Sequence, residues 1–202
     1  MKLLTLTKYM AISIYTMATF TVFAAIAVAI LMAAPAAPAG VMAKPGFTAD
    51  GKLVQPTGYR EWVYVGTPLT PNDLNPPEAP FPEFHNVYIH PSDFAVYKKT
   101  GKFPNGTVLI KELVSVGSKQ ATSGKGYFMG EFIGLEAAVK DSKRFPDEPG
   151  YWGYFSFGHK YPLAKETSKQ PVATCNGCHG ANAAEDWVFV QYYPVFRAAK
   201  PK

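Results

Sequence analysis

The chain has little cysteine: two residues in 202, Cys175 and Cys178, with no third. That excludes a disulfide scaffold and a zinc site built on several thiolates, which would need further ligands at short spacing. Methionine is scarce past the N-terminal stretch, where five of the six lie at or before Met42, leaving Met129 alone in the remainder. No run of basic residues stands out beyond Lys98-Lys99, so nothing marks a nucleic-acid surface. The formal charge of +5 falls to +3 over residues 44–202, with 18 basic and 15 acidic side chains there. No long linker and no internal repeat divides those residues, and a stretch of that size suits one domain with a proper core.

What the chain does have is Cys175-Asn176-Gly177-Cys178-His179. A C-x-x-C-H run is the attachment signature of a c-type haem. Two thiols at that spacing reach the two vinyl groups on one edge of a porphyrin, and the adjoining imidazole coordinates iron from the proximal side. A thioredoxin-like pair has no need of the histidine, and a disulfide between such close cysteines leaves it unexplained. The motif therefore implies one covalent haem c per chain, with Cys175 and Cys178 as tethers and His179 as the iron ligand.

The N-terminus reads as an export leader over residues 1–43. Lys2 and Lys8 supply a positive start, and an uncharged apolar run follows. Val41 and Ala43 fit the small-x-small rule for cleavage before Lys44. The apolar run also matches the ~20 residues that span a bilayer, so an uncleaved anchor is the other reading, and membrane contact is expected only in that case. Under either reading residues 44–202 face the periplasm, where bacterial haem attachment takes place.

Within 44–202 the pattern is mostly strands. Residues 44–58 read as an irregular arm, and Tyr59–Val65 alternates as a strand. Six prolines between Pro68 and Pro82 exclude helix interior and central strand. Phe84–His90 alternates again, and a short helix opens at Pro91 and stops at Gly101. Thr107–Val116 is the strongest strand signal, with Leu109, Lys111, Leu113 and Ser115 on one face. Tyr127–Val139 begins as a strand, while Leu135–Lys143 fits a helix equally well. Tyr151–Phe157 is an aromatic strand, the haem motif sits in a helix-prone segment, and Pro194 breaks or starts an element near the end. The fold class is α+β, a mostly antiparallel β-sheet with a few short helices and a C-terminal haem c attachment segment.

Small electron-carrying cytochromes c are mostly helical and place this motif near the mature N-terminus; here it follows the strands. With YREWV at 59–63, GTVLIKELVSVG at 106–117, GYFMGEFIGLEAAVKDSKRF at 126–145, EPG at 148–150, CNGCH at 175–179 and YYPVFRAAK at 192–200, the chain resembles the cytochrome P-460 family across its mature length. The resemblance implies a periplasmic homodimer of mostly β fold, with one c-type haem per subunit and hydroxylamine as substrate. It also implies a third covalent link to the porphyrin, from the lysine that corresponds to Lys111. Read without that resemblance, a lysine between Leu109 and Leu113 has two explanations: a buried amine with a special partner, or an edge-strand guard facing solvent.

Catalysis at the iron needs an open position opposite His179. Met129 reads as a gap-filling core residue, His90 as a surface residue at a strand end, and His159 as exposed in a turn. His85 stands where hydroxylamine-oxidising members of the family carry an arginine, and a histidine there either donates to a bound nitrogen ligand or accepts its proton. Glu112, Glu131 and Glu136 lie in the matching blocks; Glu131 and Glu136 are the candidate proton acceptors, with ion pairs to Lys140 or Arg144 as the plainer alternative. Phe81, Phe84, Tyr127 and Phe128 either cap the distal side or fill the core. The expected activity is oxidation of hydroxylamine to nitric oxide or nitrous oxide, with electrons passed to an accepting cytochrome. The alternatives are a nitric-oxide-binding protein similar to cytochrome c′-beta, and a six-coordinate electron carrier using Met129 or His85.

Overall fold

The computed structural model describes residues 43–201. The expected leader, Ala43 aside, lies outside the described residues. In chain order the elements are β1 (Leu53–Val54), β2 (Val63–Gly66), β3 (Phe84–Ile89), α1 (Pro91–Thr100), β4 (Val108–Val116), β5 (Gln120–Ala121), β6 (Gly124–Lys125), β7 (Met129–Lys140), β8 (Trp152–Ser156), β9 (Glu166–Thr167), α2 (Asn176–Asn182) and α3 (Pro194–Ala199). Five of them form one antiparallel sheet in the order β2-β3-β4-β7-β8. The expected α+β architecture with a dominant antiparallel sheet is what the chain adopts. No helix among the described residues is long and apolar enough to cross a membrane.

Both faces of the sheet are covered, which explains why β4 is apolar on both sides: only Lys111, Ser115 and Val116 along it are not fully buried. One face carries Val87, Ile89, Leu109, Trp152 and Tyr154 beneath Tyr97 of α1, Phe196 of α3 and the segment Val188–Tyr193. The other carries Ile110, Leu135, Ala137, Val139 and Phe155 beneath Leu53, Tyr59, Trp62 and Phe157. Each such large side chain, removed from water, contributes roughly 1.5–3 kcal/mol.

Local signals explain the helices. In α1, Pro91 occupies the first turn, His90 Nδ1 accepts from the Ser92 N–H, and Gly101 closes the helix in the left-handed region at φ 67°. Pro194 starts α3 rather than breaking an element.

Two expectations need correction. Tyr59–Glu61 is a 3₁₀ turn, and the strand there begins only at Val63; the turn lets both Tyr59 and Arg60 reach Glu112. The segment from Leu135 onward is strand, not helix, as far as Lys140. Pairing with β4 on one side and β8 on the other settles that ambiguity.

Candidate functional site

Register decides which side chains meet. Antiparallel partners share a face, so the pairs Val87–Lys111, His85–Leu113, Lys111–Glu136 and Leu113–Gly134 put His85, Lys111 and Glu136 on one side of the sheet. On β8 that same face continues through Ser156, opposite Glu136, and Tyr154, opposite Ala138. This is the face on which the C-terminal segment lies: the Tyr154 ring is 4.5 Å from the His179 ring between centroids, and Phe189 is 4.6 Å away on the imidazole.

The C-x-x-C-H segment leaves its candidate ligating atoms available. Cys175 and Cys178 are free thiols. Between them, the buried Asn176 donates from Nδ2 to the Trp152 carbonyl at 3.0 Å, fastening the start of α2 to β8. His179 donates from Nδ1 to the Trp187 carbonyl at 2.8 Å, which places the ring proton on Nδ1 and leaves the Nε2 lone pair for a metal. Burial lowers the affinity of His179 for a second proton, and the bond to Trp187 only partly offsets it. The imidazole is thus neutral, as a ligand must be.

Trp187 holds that carbonyl through an unusual turn. Asp186 and Trp187 both adopt left-handed backbone conformations, at φ 45° and 59°. For residues with a side chain each costs of order 1–3 kcal/mol and persists only where its surroundings fix it. Asp186 is fixed by Lys140 Nζ at 2.5 Å and by the Trp152 indole N–H at 3.3 Å. The Trp187 indole lies against Gly150, itself at φ 64°, where any Cβ would collide with the ring.

Opposite this motif is the polar group. Lys111 Nζ lies 2.5 Å from Glu136 Oε2, and His159 donates from Nε2 to Glu136 Oε1 at 2.9 Å. Burial pushes the Glu136 carboxyl up, but Lys111 and His159 outweigh it and hold the group ionised below its ordinary range. Lys111 and Glu136 are close enough to act on the Cys175 thiol and the His179 imidazole. Phe81 lies 5.1 Å from the Lys111 ammonium and meets the His85 ring edge-on at 6.1 Å. His85 is pushed down to about 4, first by burial and then by Lys111, so it is neutral near pH 7.

Lys111 is not an edge guard, because β4 is the central strand of the sheet. Glu112 belongs to the opposite face, 1% exposed, accepting from Tyr59 Oη at 2.6 Å and from Arg60. Glu131 stands apart from the group: with Met129 and Phe132 it is exposed at the outer end of β7. The apolar core expected for Met129 is also overturned, since it is 49% exposed with Sδ 3.9 Å from Asn86, a residue on the Glu112 face. His159 is exposed as expected, and His90 serves as the α1 cap. Glu136 pairs with Lys111 and His159 rather than with Lys140, which holds Asp186, or Arg144, which lies near Asp141. Of the aromatic candidates only Phe81 joins the site; Phe84 pairs with Val114 on the other face, and Tyr127 donates to Asp73.

Sequence reasoning missed Asn176, Tyr154, Trp187 and Phe189. For Asn176 the only signal was its place inside the motif.

These residues fit a c-type haem. The tethers and a metal-ready imidazole lie on the sheet face that carries Lys111 and Glu136. The enclosed His85 Nε2 makes no hydrogen bond among the described residues and lies 3.9 Å from Glu83 Oε1, which leaves the ring's hydrogen-bonding capacity unspent. Among the described residues no group of three His, Cys, Asp or Glu could hold a bare metal ion. A family model described as cytochrome P-460 matches residues 56–190. No curated protein matches the chain.

Proposed function

The chain belongs to the cytochrome P-460 family, and on that premise we propose that it is a periplasmic enzyme that oxidises hydroxylamine at a five-coordinate, lysine-linked haem c. The observation that carries this reading is the meeting of His85, Lys111 and Glu136 on the sheet face that packs His179. An electron carrier needs one more donor for iron, not a half-buried lysine–carboxylate pair beside a neutral histidine.

Cys175 and Cys178 would bond the porphyrin edge, and His179 would supply the axial nitrogen. A haem held there would supply a binding site for the substrate nitrogen and an acceptor for its electrons on the way to an accepting cytochrome. The protein supplies the rest. Linking Lys111 to the ring would remove its positive charge from a half-buried position, where a charge is costly. With that charge gone Glu136 loses the larger of the two cations that hold it ionised. Its burial then raises its affinity for a proton and it accepts one from the substrate, and His85, neutral at physiological pH, is a second acceptor. Phe81 covers Lys111 and His85 and limits the room for larger ligands. The leader pattern supports the periplasmic assignment, and the exposed Met129 and Phe132, both on the Glu112 face, supply an apolar surface for the expected homodimer.

The test is the optical spectrum of the purified holoprotein followed by steady-state assay. The expected result is a five-coordinate ferric haem, a red-shifted ferrous Soret band that is lost in Lys111→Ala, and turnover of hydroxylamine with an artificial acceptor. A low-spin six-coordinate spectrum overturns the reading. Tight nitric oxide binding without turnover replaces it with a gas-binding protein.

A further inference from the structure

The polar row on the site face continues beyond His85. With His85 opposite Leu113 and Phe84 opposite Val114, Glu83 comes next on that face, level with Ser115. Alternate residues of a strand stand ~7 Å apart, a gap that glutamate and histidine side chains close. Glu83 is 7% exposed, and its Oε1 lies 3.9 Å from His85 Nε2. A buried carboxylate ordinarily sits with a cation. Among the described residues Glu83 has neither a lysine nor an arginine within ion-pair distance.

On its far side Glu83 lines a cleft of about 330 Å³ shared with Asn72, Asp73, Ser115, Lys119 and Ile133. The charges at the rim satisfy each other, Lys119 Nζ lying 2.8 Å from Asp73 and Tyr127 Oη 3.0 Å from it. Among the described residues Glu83 is therefore the carboxylate lining the cleft that has no ion pair with a lysine or arginine, and His85 is the ionisable group within 4 Å of it.

We propose that His85 and Glu83 form a proton relay from the site to this cleft, the path by which protons of an oxidised nitrogen compound reach solvent. The relay rests on the functional reading above. His85, carrying its proton on Nε2, takes one on Nδ1. Once the side chains shift to close the 3.9 Å between them to hydrogen-bond distance, it passes the Nε2 proton to Glu83 Oε1. The neutral acid releases it to water in the cleft, the carboxylate re-forms, and a turn of the ring restores the starting tautomer. Only protons move, and no electrons are exchanged. The groups facing His85 are Glu83, Phe81, Lys111 of β4, Glu136 of β7 and His159 after β8. Asp73 and Lys119 stand across the cleft.

The test is Glu83→Gln in the holoprotein, with solvent exchange of the His85 ring N–H followed by ¹⁵N NMR in the diamagnetic ferrous carbon monoxide complex. Exchange is expected to slow roughly tenfold or more, and kcat for hydroxylamine to fall by a similar factor, within the range of a lost acid–base group. KM stays within about twofold and Glu83→Asp restores part of kcat, as removal of a proton-transfer group rather than of binding requires. Ser115→Leu, which fills the cleft and leaves Glu83 in place, slows exchange as well. Unchanged exchange in Glu83→Gln overturns the relay, and so does unchanged exchange in Ser115→Leu should the first variant not fold. A protein that turns over no hydroxylamine, yet shows slowed exchange in Glu83→Gln, sinks the enzymatic reading and upholds the relay.

Discussion

Glu112→Gln probes the feature that sets which face of β4 Lys111 occupies. Adjacent residues on a strand point to opposite faces, so a one-residue slip of β4 would exchange Lys111 with Glu112. Glu112 is 1% exposed and bound by Tyr59 Oη at 2.6 Å and by the Arg60 guanidinium, whose side chain is 50% exposed. A buried hydrogen bond to a charged group is worth about 1.5–3 kcal/mol. The Arg60 pair, half in water, is worth about 0–1 kcal/mol. Against this stands the relief of no longer burying a charge, so the net cost is about 2 kcal/mol. For a domain of this size 1 kcal/mol moves Tm by about 2–4 °C, so a fall of about 4–8 °C is expected. Tyr59→Phe should cost about 1–2 kcal/mol, and the double variant less than the sum, because both remove the same bond. Thermal melts of the holoproteins with a double-mutant cycle measure this. A Tm for Glu112→Gln within about 1 °C of the parent, or strict additivity with Tyr59→Phe, refutes the reasoning.

Gly134→Ala should cost about 1–3 kcal/mol by overpacking, since its Cβ would stand 2.7 Å from the Gly158 carbonyl and 3.1 Å from His159 Cα; urea unfolding gives the cost, and loss of the His159–Glu136 contact should appear in the His159 NMR shift. Glu136 is ionised in the fold below the unfolded carboxylate range, so its contribution is present above that range and disappears as pH falls through the lower folded value. Denaturant melts of the haem-free chain between pH 7 and 3, where Lys111 keeps its charge, should therefore show a smaller acid loss in Glu136→Gln than in the parent. His85 has the same sign by another route: its folded value near 4 lies below the unfolded 6.5, so the unfolded chain binds more protons between them and stability falls as pH drops through that window. His85→Asn should flatten the melts across that window, and an identical slope would contradict the burial assigned to this ring. Asn176→Ala removes the clasp on the Trp152 carbonyl and should cost about 1–3 kcal/mol by leaving a buried acceptor unpaired, read from the same melts.

The candidate tethers Cys175 and Cys178 and the candidate ligand His179 stood out because ligand chemistry writes such residues side by side in a chain. Lys111 was legible as an anomaly from strand alternation, but whether β4 was edge or centre depended on pairings with β3 and β7 that are distant in sequence. The choice between Glu131 and Glu136 could not be read from alternation. β7 carries a bulge where Leu113 faces Gly134 while Val114 faces Phe132, leaving Ile133 as an extra residue. Counting by twos across it puts Phe132 on the wrong side, and a second register shift follows before Met129, which was read into the core as a gap-filling methionine and lies instead at the exposed end of the strand. Trp187 left no trace in the pattern, because its contribution is a backbone carbonyl aimed by a left-handed turn. Glu83 was hidden among prolines, where only the register of β3 gave it a direction.

The clasp between Asn176 and Trp152 has a bearing on biogenesis. On the proposed reading of an exported haem protein, the sheet wall leaves the ribosome before the thiols, so an enzyme that stitches in the cofactor would meet a partly assembled acceptor whose last segment is still loose. Docking of that asparagine on β8 closes the interval in which both sulfurs can be presented together. The timing of that closure would govern how much of the exported polypeptide leaves the assembly line loaded, whatever the finished molecule's thermodynamic margin.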